Sequence, residues 1–561
     1  MKVKINEQWL EANENETILA VCLRHGIDIP TLCFHEDQKH KANCRLCVVE
    51  VMGSRSLKTA CSTVVSDQMV ILTDSDKVKS ARMINFQLLL ANHPLDCENC
   101  LKNNFCDLQT MAEKLQIKET PFLKTLSAFS VDESNEAIKR DFNQCIKCTR
   151  CLEICKDIQG LHIIEKYGRS NDLKIGLPDK KELNEMQCTY CGQCAAVCPT
   201  AAIMEVDHIE KVKSMLADEN KYVIVQVAPS IRATICEYFG VDYEMLPVGK
   251  LVTMLKEIGF DQVFDTNFTA DLTIIEESYE LVKRIRENKN LPQFTSCCPG
   301  WVNFVENYHP ELIPHLSTCK SPQQMFGALA KTYYQEKIDR QDIAVVAIMP
   351  CTAKKEEIHR EDMKDDVDVV LTTRELERLL AEYDFNIETM ASGDFDEPFG
   401  LTTGAGSIFG NTGGVMIAAL RTAYGILTGM ELEKIDFIEL TDFDNFKEAT
   451  ININGKEVKV AVIHLLVGAQ EMVKRFKENP QEYVFIEVMC CLGGCIGGGG
   501  QPDNTTSLRK KRRDILLKID QNKEIRKSHQ NPAIVKLYEE YLQYPLSPTA
   551  HKLLHTKYHK K

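Results

Sequence analysis

Short apolar runs separated by polar turns open the chain. KVKI (2–5), CVVEV (47–51) and MVILT (69–73) read as strands, and ETILAVCLRHG (16–26) has the apolar spacing of a helix. Together they predict a small α+β domain. VKSARMINFQLLLANH (78–93) predicts a further helix leading into a cysteine-rich stretch. Beyond Lys221 the texture changes: YVIVQVA (222–228), IAVVAIM (343–349), VDVVLTT (367–373), VKVAVIHLL (458–466) and YVFIEVM (483–489) alternate with amphipathic stretches. Such runs, apolar on both faces, predict parallel strands covered by helices. From Asp514 onward the pattern is polar-amphipathic and predicts helices wrapped on the outside.

Length and composition sharpen this picture. A chain of 561 residues, 44% hydrophobic and 26% charged, is expected to form several soluble domains. Its 24 cysteines group as C-x-x-C, which favours metal ligation in a reducing compartment over a disulfide framework. MKVKINEQWLEANENETIL lacks an apolar core of signal-peptide length, and no run approaches the roughly 18 apolar residues that span a membrane. A cytoplasmic protein with no membrane partner is expected. The net charge of −14 argues against general nucleic-acid binding. RKKRR (509–513) reads as a solvated surface turn or helix start, with a docking patch for an acidic electron carrier as the sharper reading.

The cysteines fall into spaced groups. Cys33, Cys44, Cys47 and Cys61 resemble the [2Fe–2S] domain at the front of respiratory-complex-type and hydrogenase-type electron inputs. His93, Cys97, Cys100 and Cys106 suit a [4Fe–4S] site in which imidazole replaces one thiolate, with tetrahedral zinc as the competing reading. CIKCTRCLEIC (145–155) and CTYCGQCAAVC (188–198) form an internal duplication of the two-cluster ferredoxin kind. There the fourth cysteine of each run ligates the other cluster. One cluster would take Cys145, Cys148, Cys151 and Cys198, the other Cys188, Cys191, Cys194 and Cys155. Pro199 follows Cys198 as the motif expects, whereas Lys156 stands after Cys155.

Three further segments put thiols beside Pro or Gly: TSCCPGW (295–301), MPCTAKK (349–355) and EVMCCLGGCIGGGGQP (487–502). Two directly follow predicted strands, whose carboxyl ends are where ligand sites of α/β sheets lie. No Gly-rich dinucleotide fingerprint follows a strand; GGGG belongs to the thiol loop. These segments resemble the signatures of the iron-only, or [FeFe], hydrogenases, and the resemblance covers nearly the whole chain in the domain order of the large monomeric clostridial type.

The resemblance implies an α+β multidomain protein. A β-grasp [2Fe–2S] domain would span 1–79, a small His/Cys3 [4Fe–4S] domain 80–125 and a two-cluster ferredoxin domain 126–209. A two-lobed α/β H-cluster domain with parallel sheets and a helical tail would span 210–561. The implied cofactors are one [2Fe–2S] cluster, three accessory [4Fe–4S] clusters and an H-cluster. The last is a [4Fe–4S] cubane joined to a diiron azadithiolate unit carrying CO and cyanide. Cys298, Cys351, Cys491 and Cys495 would hold the cubane, Cys495 bridging to the diiron unit.

Cys297 would then exchange protons with that unit, through Glu277, Ser317, Glu280 and Arg284. Glu277, Glu280 and Arg284 sit at i, i+3 and i+7, one face of a helix. A charged stripe of this kind is usually a solvated face. Lys354 would bond one cyanide, with Ala228, Pro229 and Ser230 near the other. Ser321, Gln323, Met349, Pro350 and Met489 would line the pocket. The implied activity is reversible reduction of protons to H₂ with electrons from ferredoxin or flavodoxin, the diiron unit being installed by maturases.

Two rivals remain: a non-catalytic iron–sulfur assembly or sensory protein, and the electron-input subunit of an NADH or formate dehydrogenase. Cys297, Lys354 and the glutamate pair argue against the first, and the C-terminal motifs against the second. Cys22, Cys236, Cys319 and Cys490 are left over, with core packing as the default. Cys319 and Cys490 are expected to border the pocket and to alter oxidation behaviour; alanine is more usual at both places in related proteins.

Overall fold

The computed structural model describes residues 1–122, 129–169, 173–178, 181–430, 432, 445–453 and 455–561. The boundary expected at 125 to 126 lies outside the described residues.

At the amino end, β1 (Lys2–Ile5), β2 (Gln8–Glu11), β3 (Val48–Val51), β4 (Lys58–Thr59) and β5 (Val70–Leu72) form one sheet in the order β2–β1–β5–β3–β4. β1 and β5 run parallel and the remaining pairs antiparallel. The helix Ile18–Arg24, capped by Thr17 Oγ1 accepting from Ala20 N, buries Ile18, Leu19, Val21 and Cys22 against it. Every element expected here is present. The additions are β2, whose QWLE carries too little buried apolar surface to announce itself, and β4, whose two residues carry no period.

The helix Asp76–Leu90 leads to the second cysteine group and then to the duplicated module. There β6 (Ile138–Arg140) pairs antiparallel with β9 (Ile203–Glu205), and β7 (Glu165–Tyr167) with β8 (Lys174–Gly176). The duplication is visible in the backbone itself. Lys147 and Tyr190 both have φ 55°, and Thr149 and Gly192 follow at 66° and 68°. In both copies an N–H donates at 3.4 Å to the first sulfur, Lys147 to Cys145 and Tyr190 to Cys188. Thr149 shows that this φ alone does not demand glycine; at 192 packing does, because a Cβ there would lie 2.2 Å from Thr352 Oγ1.

Two sheets build the rest. β10 (Tyr222–Val227), β11 (Gln262–Asp265), β13 (Ile343–Met349) and β14 (Val369–Thr372) lie in the order β11–β10–β13–β14, all parallel. β12 (Gln293–Phe294), β15 (Phe446–Ile453), β16 (Lys456–His464) and β17 (Phe485–Met489) lie in the order β12–β17–β16–β15, with β15 alone antiparallel. Each apolar run became a parallel strand. β13 is buried along its whole length, as a central strand with helices on both faces must be. The helix Thr266–Glu287 runs between the lobes and packs on the helices Pro322–Leu329 and Gly414–Thr428.

The tail is helical as expected, but it is not a mere wrapping. Leu516, Ile534, Leu537, Leu542 and Leu554 are buried. RKKRR is neither a turn nor a wholly solvated face. It lies in the helix Thr506–Asn522, whose period turns Arg509 and Arg512 inward. Arg509 pairs with Asp37 at 2.9 Å and Arg512 with Glu237 at 2.5 Å, so these two charges are spent internally and offer no docking patch. Among the described residues no helix is long and apolar enough to cross a membrane.

Candidate functional site

The carboxyl ends of four strands from both sheets meet at one cavity. β10 ends at Ala228, Pro229 and Ser230, β13 at Pro350 and Cys351, β12 just before Cys297 and Cys298, and β17 at Cys490 and Cys491. All nine line the cavity, with Gln323, Met349, Lys354, Met489 and Cys495, around about 740 Å³ of empty volume. Phe409, Thr266 and Ala270 also line it and carry no motif by which sequence could have found them. Ser321 does not line it. Its hydroxyl donates to Glu357 Oε2 at 2.9 Å, the carboxylate that also takes Lys354 Nζ at 2.8 Å. Ser321 therefore acts on Lys354 through Glu357. Lys354 Nζ also donates to the carbonyl of Cys297 at 3.2 Å, which aims it along the cavity wall.

The donor set fits an iron–sulfur cofactor. Four cysteine sulfurs from three separate segments surround the space, and Ser230 Oγ and Gln323 Oε1 are buried without a hydrogen-bond partner. Polar atoms left so cost roughly 1–3 kcal/mol each unless something meets them. The glycine-rich loop supplies the cradle: a Cβ on Gly498 would lie 2.1 Å from Pro350 O, and one on Gly500 2.9 Å from Cys351 N.

Behind Cys297 the helix Thr266–Glu287 carries the acidic stripe, and it is not a solvated face. Glu277 is 1% exposed, and Glu280 and Arg284 are buried too. Burial, then the charge of Glu280, pushes the Glu277 carboxyl up to about 8. Ser317 Oγ donates to Glu280 Oε2 at 3.0 Å, and Arg284 Nη2 to Glu280 Oε1 at 2.7 Å. Burial and the neighbouring Glu277 hold the Cys297 thiol well above its ordinary range, so it stays protonated. Cys319 does not border the cavity; its sulfur lies 4.0 Å from Glu280 Oε2. Beside it His555 bridges Thr318 Oγ1 at 2.8 Å and Glu276 Oε2 at 3.0 Å, a buried network that sequence reasoning missed because its members lie 237 and 279 residues apart.

The remaining cysteines form a continuous series. Cys145, Cys148, Cys151 and Cys198 line one cavity, and Cys155, Cys188, Cys191 and Cys194 another. The crossed grouping expected from the duplication is the grouping in space. Cys33 and Cys44 come together with an N–H···S contact of 3.4 Å, and the Cys47 and Cys61 sulfurs lie 3.4 Å apart. Cys33, Cys44, Cys106 and Cys148 share one buried cluster. Cys106 Sγ lies 3.6 Å from Pro199 O, and Lys102 bonds the carbonyl of Cys198. His93 is buried with Nδ1 unpartnered, and burial lowers it to about 4, a neutral imidazole able to ligate. Cys97 is exposed and joined to Cys100 by a tight turn.

Family models agree with this layout. The C-terminal domain of the iron only hydrogenase large subunit matches residues 221–499, and the iron hydrogenase small subunit matches 506–561. Ahead of them a 2Fe-2S iron-sulfur cluster binding domain matches 1–76, the NADH-ubiquinone oxidoreductase-G iron-sulfur binding region 82–121 and a 4Fe-4S dicluster domain 144–202. Iron hydrogenase 1 of Clostridium pasteurianum is 39% identical over 99% of both chains. The chain belongs to the iron-only hydrogenase family. The NADP-reducing hydrogenase subunit HndD of Solidesulfovibrio fructosivorans is 42% identical over 100% of this hydrogenase and 99% of its own length. The solved apo [FeFe]-hydrogenase HydA1 from Chlamydomonas reinhardtii superposes with a TM-score of 0.57 at 36% identity, covering 63% of this chain and 99% of its own. The hydrogenase thus catalyses turnover of molecular hydrogen. A cytosolic iron-sulfur assembly component of Mus musculus is 31% identical over 71% of the chain, so the non-catalytic reading has relatives but is the less favoured one.

Proposed function

We propose that this hydrogenase works where an electron path and a proton path meet. The observation that carries the reading is one cavity lined by Cys298, Cys351, Cys491 and Cys495 with Cys297 left over and buried Glu277 behind it. The four cysteines would hold the cubane of an H-cluster, beside which the cavity would take the diiron unit. When bound, that unit supplies the hydrogen chemistry. The chain's own contribution is to orient it, exclude water and move protons. Lys354, fixed by Glu357, and the backbone of Ala228 to Ser230 would hold that unit's cyanide ligands. Met349 and Met489 keep the wall apolar.

Protons would pass between Cys297 and Glu277, across Ser317 to Glu280, and out past Arg284. A carboxyl near 8 both gives and takes protons at neutral pH. Electrons would enter through a [2Fe–2S] cluster on Cys33, Cys44, Cys47 and Cys61, in a β-grasp domain at 1–79, or a [4Fe–4S] cluster on His93, Cys97, Cys100 and Cys106 at 80–125. They would continue through the two crossed quartets of 126–209 to the domain at 210–561.

The donor is a ferredoxin or flavodoxin, the protein is cytoplasmic, and maturases install the diiron unit. The NADP-reducing relative makes a partner protein that passes electrons to NADP the second reading for the outer end of the path. Anaerobic matured protein should show infrared bands of metal-bound CO and cyanide and evolve H₂ with reduced ferredoxin. Absence of those bands after maturation overturns the assignment, and activity only with a pyridine-nucleotide partner favours the second reading.

A further inference from the structure

Beside the acidic stripe, the segment after Ser317 runs antiparallel to the end of the tail. Thr556 N donates to Thr318 O at 2.8 Å and Lys320 N to Leu554 O at 2.8 Å. Between these two bonds Cys319 and His555 stand directly opposite each other. A pair that exchanges no bonds of its own brings its side chains close on one face, with Cβ atoms about 4.5–5.5 Å apart. Glu280, on the helix Thr266–Glu287, completes the group. One ligand atom from each of Glu280, Cys319 and His555 lies within 4.8 Å of the others, and all three residues are buried.

Thiolate, imidazole and carboxylate together suit a borderline-soft, four-coordinate cation, with one position left for water. Such an ion, with bonds of about 2.0–2.3 Å, sets its ligand atoms roughly 3.3–3.8 Å apart, so small side-chain rotations close the set. His555 is held as a metal-ligating imidazole is held. The Glu276 carboxylate accepts from its Nε2 at 3.0 Å, which places the proton of the neutral ring there. The Nδ1 lone pair is left to ligate, and Thr318 Oγ1 meets it at 2.8 Å. Glu276 is itself fixed by Tyr538 Oη at 2.5 Å and Leu546 N at 3.0 Å. Surface access is short, because the ring of exposed His551 lies 4.2 Å from that of His555.

We propose that Glu280, Cys319 and His555 bind a divalent cation of the zinc class, and that the bound ion closes the proton path. The closure rests on the path given under Proposed function; the binding does not. Glu280 Oε2, the oxygen 4.0 Å from Cys319 Sγ, also accepts from Ser317 Oγ at 3.0 Å. An ion on that oxygen takes the lone pair through which a proton from Glu277 would arrive. On binding, the Cys319 S–H bond breaks, a sulfur–metal bond forms and the proton leaves to water.

The test is a titration of anaerobic, matured protein with Zn²⁺, as wild type, Cys319→Ala and His555→Gln. Wild type should lose H₂ evolution as zinc binds and regain it with a chelator, its iron content unchanged throughout. Each variant, scored against its own zinc-free rate, should need at least about tenfold more zinc. X-ray absorption at the zinc edge should show a sulfur neighbour at about 2.3 Å in wild type and none in Cys319→Ala. Absence of that neighbour in wild type, its persistence in Cys319→Ala, or equal inhibition of all three proteins overturns the site. The sulfur neighbour together with undiminished wild-type turnover overturns the closure: the site then stands, and Glu280 leaves the proton path.

Discussion

At the scale of single residues, burial decides what the acidic side chains can do. Glu277 sits in the middle of a helix with one carboxylate oxygen unpartnered, and burial followed by the Glu280 charge takes it up to about 8. Below that pH it is a proton donor, above it an acceptor. Hydrogen evolution, which consumes protons at the cavity, should therefore fall as pH rises through about 8, while hydrogen oxidation should rise. Initial rates in both directions from about pH 6 to 10 check this. Glu277→Gln should lower turnover by at least about 10²-fold, with infrared bands and iron content intact; near-normal turnover would remove Glu277 from the path. The i, i+3, i+7 spacing was legible in sequence. That the stripe faces inward was not, because a charged stripe has the same pattern whether water or protein covers it.

At the scale of elements, the strands place the chemistry and the helix ends fix the loops between them. Long apolar runs are visible because a central strand must be apolar on both faces. β15 escaped notice because it is an edge strand with alternating exposure, and β12 because two residues carry no period. One buried carboxylate ties a helix to a strand: Glu487 on β17 accepts from Gly413 N at 2.6 Å and Met416 N at 2.7 Å, at the amino end of the helix Gly414–Thr428. This placement next to the partial positive charge of a helix start was not readable from EVM alone. Glu487→Ala should strand both N–H groups and cost about 1–3 kcal/mol for each. Amide exchange at Gly413 and Met416 should accelerate and thermal stability fall; unchanged protection would mean that water replaces the carboxylate.

At the scale of the whole molecule, buried ion pairs hold the modules together. Glu205, on β9 of the duplicated module, is fully buried and pairs with Arg374 at 2.5 Å and Arg378 at 2.8 Å. Burial alone would raise its carboxyl, but the two guanidinium groups hold it far below the ordinary 4.5. A depressed carboxylate contributes stability above its unfolded value, and that contribution is lost as pH falls towards the folded one. Acid should thus loosen this junction before neutral conditions do. Glu205→Ala should cost about 3–5 kcal/mol by leaving two arginines unpaired. Hydrogen exchange at Ile203–Glu205 and at Thr373–Leu380 reads the loss locally, and unchanged exchange at both would exclude the pair as the fastening. None of this docking could be read from the chain, since partners 169 residues apart share no pattern.

The helix Thr506–Asn522 reaches further still, with Arg509 on Asp37 beside the first cysteine group and Arg512 on Glu237 in the catalytic lobe. Tunnelling rates decay exponentially with the gap, so a module that merely touched its neighbour would have a current dominated by its rare closest approaches. Gripping both partners from a single helical turn, Arg509 and Arg512 would act as a gauge block: they would make the throughput of the proposed wire a property of geometry rather than of thermal chance.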